Sequence, residues 1–129
     1  MMITNWIKSY GEHADEYLIC DGRHPLISND TLADELKLYN LQYNKDSVWL
    51  NDYLRLTGKQ VTQETRLEEL SGGQKTLLML LLSLSSPAAK IRYWHLLDSL
   101  DEAMRKEAIL MIECAKATKE IICEPSTAV

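Results

Sequence analysis

The sequence has little of what marks unusual architectures. Only 5 glycines and 3 prolines occur in 129 residues, which excludes collagen-like and low-complexity chains. The three cysteines, Cys20, Cys114 and Cys123, contain no C-x-x-C pair, so a zinc ribbon or a dithiol redox motif is excluded. Each lies in an apolar stretch, and all three are expected to be reduced, buried core thiols, as in a cytoplasmic protein. The N-terminus lacks the basic and apolar regions of a secretory signal. The longest apolar run, Leu77-Leu78-Met79-Leu80-Leu81-Leu82, falls far below the roughly 18 residues that cross a bilayer. No membrane association is expected. Basic residues number 14 against 19 acidic, for a net charge of -5 with no dense Lys/Arg run. That balance lacks the footprint of a general nucleic-acid binder.

What is present is ordinary for a globular chain: 46% apolar and 26% charged residues. The length suits one domain, residues 1–129, ending in a polar tail at 125–129. Ile3, Trp6, Ile7 and Tyr10 predict a helix over 1–16. Residues 17–20 predict a strand closed by the Asp21-Gly22 turn signal. Asn29 or Asp30 is expected to cap a helix carrying Leu32, Leu36 and Tyr39. A further helix over 46–56 would turn Val48, Leu50, Tyr53 and Leu54 inward and stop at Gly58. Residues 62–70 predict a polar helix. An apolar helix follows from Ser71 to about residue 85, broken by Ser86-Pro87. Residues 91–97 predict a strand. Ser99-x-x-Glu102 predicts a capping box that opens a helix to about 118, with Met104, Ala108, Met111, Ile112 and Ala115 on one face. Residues 120–123 predict a last strand. The closing strand–helix–strand order favours parallel pairing. The expected fold is therefore α/β: a helix-rich single domain with a small, mainly parallel sheet of about three strands and a helical insertion.

The segment Leu70-Ser71-Gly72-Gly73-Gln74 carries the chemical content. Ser71 and Gln74 have capping-box spacing, and many helices start so without binding anything. A bare cap does not call for two glycines, however, since Gly within a helix costs about 1 kcal/mol relative to Ala. Paired glycines at a helix start make sense where the backbone must approach an anion, with free N–H groups and the helix dipole holding a phosphate.

These five residues resemble the signature motif of the ABC-type ATPases. Glu68-Glu69 before it, and Lys75 with a leucine-rich helix after it, look most like the branch that includes the SMC and DNA-repair ATPases. The stretch ending Leu96-Leu97-Asp98, followed by Ser99-Leu100-Asp101, resembles a Walker B strand compressed onto the D-loop. Residues 17–36 resemble the passage from the Q-loop strand into the helical subdomain. The similarity spans about 17–124 and is strongest at 67–85.

Several family features are missing. No G-x-x-x-x-G-K-[ST] loop exists: Gly58-Lys59 is the one glycine–lysine pair, and Gln60 follows it. That loop supplies the phosphate cradle, the lysine and the magnesium-binding hydroxyl. Asp21-Gly22 stands about where the Q-loop glutamine belongs. Asp98 matches the metal-binding aspartate, but Ser99 follows where the family places a catalytic glutamate. Asp101-Glu102 offers a rival acidic pair that fits a helix start better. The last strand ends in Glu124-Pro125 rather than in the switch histidine.

The resemblance therefore implies a non-catalytic relative with no catalytic residue and no cofactor bound in cis. Ser71, Gly72, Gly73 and Gln74 would contact phosphate in trans, and ATP and magnesium would come only with a partner ATPase. Asp98 is the candidate metal ligand. Gly73→Asp is expected to disable such capping at little structural cost. A homodimer is the other expected assembly, because a small domain struggles to cover so apolar a helix. Two readings from other classes stay open. One is a structural or interaction module in which residues 71–74 are only a helix cap. The other is a nucleotide binder without a Walker loop, supported only by Asp21-Gly22-Arg23-His24. His13, His24 and His95 lack metal spacing, and His95 is expected to pack within a strand. Trp6, Trp49 and Trp94 are expected in the core.

Overall fold

A computed structural model describes residues 17–28 and 30–124 of the chain. The helix expected over 1–16 with Trp6, the Asn29 cap and the 125–129 tail lie outside the described residues. The elements run β1 (Leu18–Asp21), α1 (Leu32–Leu38), α2 (Val48–Thr57), a 3-10 turn (Leu67–Glu69), α3 (Gly72–Ser85), β2 (Lys90–Trp94), α4 (Glu102–Ala115) and β3 (Glu120–Glu124). The three strands form one parallel sheet in the order β1-β2-β3. Its register pairs Leu18 with Ile91 and Ile91 with Ile121. The chain is thus the expected α/β fold, with α1 to α3 inserted between the first two strands.

Both crossovers step in the same direction across the sheet, so the right-handed rule sends their helices to one face. Burial agrees. Leu18, Cys20, Ile91, Tyr93 and Ile121 are buried on that face, whereas Ile19 and Trp94 on the other are 47% and 37% exposed. Trp94 is therefore not the core residue expected, although Trp49 is. Helix α3 is buried continuously from Thr76 to Ser83, in contact with α2, α4 and β1. The apolar helix that favoured a second copy is covered by the chain itself. Among the described residues, no helix is long and apolar enough to cross a membrane.

Residues 62–70 do not form the expected polar helix, and the reason is local. The first N–H groups of a helix have no partner within it. In α1 those of Leu32 and Ala33 donate to the carbonyls of Thr65 (2.9 Å) and Gln63 (3.0 Å), while Leu67 N–H donates to Asp30 (2.8 Å). The 62–66 strap folds into a turn, closed by Thr65 N–H to the Thr62 carbonyl (3.0 Å), that presents its carbonyls to them, leaving only the 3-10 turn as helix. It also fixes where α1 begins: Thr31, bridged to Arg66, is the cap, and its hydroxyl donates to Asp34 (3.1 Å).

Helix α2 is rotated from the expected face. Trp49 and Tyr53 point inward, whereas Val48 is 75% and Leu54 45% exposed. It ends as expected at Gly58, in the left-handed region at φ 71°. Strand β2 stops at Trp94, short of the expected residue 97, because His95 turns to φ 52°. His95 sits just past the strand, partly exposed. Helix α4 is capped by Asp101 rather than Ser99, and the Asp101 carboxylate accepts from Met104 N–H (2.8 Å). Its inner face is as expected, with Ala108 and Ile112 buried and Met104, Met111 and Ala115 packed beside them. Cys114 faces solvent, and Cys123 is half-buried, so only Cys20 is the buried thiol expected.

Candidate functional site

Parallel strands end together, and ligands in open α/β sheets gather at their carboxyl ends. Here that edge carries the turns after Asp21 and Trp94. It also carries the start of α3, which runs back against the strands. Residues 71–74 form the expected cap. The Ser71 hydroxyl accepts from Gln74 N–H (3.2 Å), and Ser71 N–H donates to the Gln74 side-chain oxygen (2.9 Å). The two glycines lie between these bonds, at first-turn positions whose N–H groups have no helical partner.

The glycines differ. A Cβ on Gly72 would meet nothing within 4 Å, whereas one on Gly73 would sit 3.3 Å from the Ser99 carbonyl oxygen. Gly73 is thus pressed against the turn after β2, and Gly73→Asp would set a carboxylate toward a carbonyl. The expectation that this change is structurally cheap is corrected; Gly72 is the open position.

Four side chains hold this corner. The Thr76 and Ser99 hydroxyls bond to each other at 2.7 Å. The Tyr53 hydroxyl donates to the Gln74 carbonyl (3.1 Å). Arg105 Nε donates to the carbonyls of Leu97 (3.1 Å) and Leu100 (2.9 Å), closing the turn between β2 and α4. The result is a cleft of about 300 Å³ walled by Ser71, Gly73, Gln74, Ser99, Leu100 and Asp101. Two helix N-termini, of α3 and α4, therefore open on one cleft.

The structure thus brings the four residues 71–74 together with Ser99-Leu100-Asp101. It does not bring Asp98 to a strand end. Asp98 is exposed, beyond the end of β2, and pairs with His95 Nδ1 at 3.3 Å. Among the described residues no three His, Cys, Asp or Glu side chains are grouped to hold a metal. The rival carboxylate Asp101 is engaged in capping, as expected of a helix start.

Comparison with models of known protein families and with curated proteins returns no match to this chain. The site is therefore read from its own geometry.

The loop after β1 is the best-fixed part of this edge. Gly22 N–H donates to the Trp94 carbonyl (2.7 Å), and a Cβ there would lie 2.3 Å from the His95 carbonyl oxygen. Only glycine fits. Burial is the largest single influence on the Asp21 carboxyl and raises it, but the Arg23 N–H and guanidinium bonds, with the charges of Arg23 and His24, together hold it below its ordinary value. At the loop's other end, the buried Glu35 carboxylate accepts from Ile27 N–H (3.1 Å) and Ser28 N–H (2.7 Å). Burial raises its proton affinity against the pull of those two bonds. Tyr53, Thr76, Arg105 and Glu35 carry no motif. Their roles arise from contacts between distant segments, which local spacing does not encode.

Proposed function

We propose that this chain is a non-catalytic relative of the ABC-type ATPases that caps the nucleotide site of a partner ATPase. The observation that carries this reading is the open first turn of α3. Among the described residues no atom lies within 4 Å of a Cβ built on Gly72, so a phosphate held by another protein can reach the free N–H groups and the positive end of α3. The contact with Ser99-Leu100-Asp101 supports it, because the family resemblance assigns those residues to a second segment near the same nucleotide. Ser71 and Gln74 orient the turn, Gly72 and Gly73 supply N–H donors, and ATP with magnesium comes from the partner. No residue of this chain is assigned catalysis.

Gly72→Asp tests it. Aspartate in a first helical turn suits the dipole, so the fold should persist, but its carboxylate repels phosphate. Affinity capture from native extract should retain an ATPase bearing a Walker A loop only when ATP is present, and Gly72→Asp should abolish that retention. Survival of the complex in the variant would overturn the proposal. So would ATP turnover by the purified chain that Asp98→Ala removes.

One observation favours a second reading, an interaction module with no phosphate ligand. The Ser71 and Gln74 side chains already satisfy each other, as a helix cap alone requires. On that reading capture is indifferent to ATP.

A further inference from the structure

A second cavity at the carboxyl edge, of about 480 Å³, lies between the loop after β1 and the start of α3. Arg23 and His24 line it from the loop, and Lys75 from the first turns of α3. Its size suits a small molecule. Lys75 is partly buried, and among the described residues its ammonium makes no ion pair or hydrogen bond. An ammonium on the cavity wall with no partner among the described residues is available to an anion that enters it. Arg23 reaches Asp21 through two donors at 3.3 and 3.4 Å, which aims the guanidinium while leaving others free. Glu68, also on the wall, is answered by Arg66 at 3.2 Å.

The loop is built to hold these cations still. Gly22 is locked beneath His95, and the buried Glu35 carboxylate ties down the N–H groups of Ile27 and Ser28. A buried carboxylate is an expensive way to anchor a surface loop. It makes physical sense where side chains on that loop must be positioned for a ligand.

We propose that this cavity binds a small phosphomonoester in cis. Its phosphate meets Arg23, His24 and Lys75, and a hydroxyl of its body donates to Glu68. Phosphate fits better than carboxylate because it offers more oxygens to three cationic side chains of different geometry around one cavity. The site is separate from the Gly72 surface and does not depend on the capping proposal.

The test is a titration of the full chain with ribose 5-phosphate, and separately with inorganic phosphate, followed by NMR shifts of the His24 imidazole and the Arg23 and Lys75 amides. Saturable shifts are expected, with ribose 5-phosphate binding more tightly. Lys75→Met and Arg23→Gln should each weaken it about tenfold, the loss of one charge-assisted contact. Lys106→Met, at an exposed lysine of α4 that pairs with Glu102, should not change it. Arg23 lies on an exposed loop, so its variant keeps the test decisive if Lys75→Met fails to fold. Non-saturating shifts, or equal affinity in the Lys75 and Lys106 variants, overturn the site. Equal affinity for the two probes overturns the phosphomonoester assignment in favour of the free ion.

Discussion

Burial separates thiols that look alike in sequence. Cys20 is enclosed beside Ser83 and Tyr39, and burial pushes its thiol up to about 12, so it stays protonated and inert. Cys114 lies exposed on α4. Brief alkylation of the folded chain at pH 8 should therefore modify Cys114 and spare Cys20 until denaturant is added, which peptide mass mapping can read. Glu35 makes a pH-dependent contribution of known sign. Its carboxyl holds its proton more tightly when folded, so the native chain binds more protons through the window above the ordinary carboxylate value. Stability from this group is fully present below that value and falls as pH rises through the raised one. Urea unfolding at several pH values should show that fall in the wild type and not in Glu35→Gln. An unchanged pH profile between the two would contradict the raised affinity.

At the scale of elements, the glycine-marked helix ends were legible, while the caps of α1 and α4 and the end of β2 were not. Gly58 and the 71–74 cap follow from residue type, because few residues do what glycine, serine and glutamine do at helix ends. Gly58→Ala should cost about 1 kcal/mol for a left-handed alanine, measured as a shift in urea midpoint. Gly72→Ala should instead stabilise α3, by up to about 1 kcal/mol. Gly73→Ala should gain less, because its methyl meets the Ser99 carbonyl. Equal gains at both would show that contact to be slack. The 62–70 strap was illegible for a definite reason. Its local pattern permits a helix, but its carbonyls are recruited by the start of α1, a partner distant in sequence. The shift of the α4 start is similar: Ser99 has capping chemistry, yet its hydroxyl is taken by Thr76.

Across the whole molecule, the fold class was readable because hydrophobic runs of strand and helix length alternate along the chain. Half of the site was readable too. The glycine-rich turn announces itself, while its neighbour Ser99 and the Arg23–His24–Lys75 grouping arise only when β1, α3 and the turn after β2 meet at one edge. The core tying these together is α3, and Leu80 is fully buried within it. Leu80→Ala should cost about 2–5 kcal/mol, with thermal melting and the His24 environment lost together. Loss of one without the other would mean that the edge folds apart from the core.

The close approach of Gly22 to His95 gives the chain a marker independent of its motifs. Gly72 can be replaced without a clash, because a Cβ there meets no described atom within 4 Å. The residue at 22 has no such freedom, for any side chain there collides with the backbone of the central strand's exit. Descendants of this chain that had changed the whole 71–74 turn should still carry glycine at the end of their first strand, which makes that position one by which distant relatives can be traced.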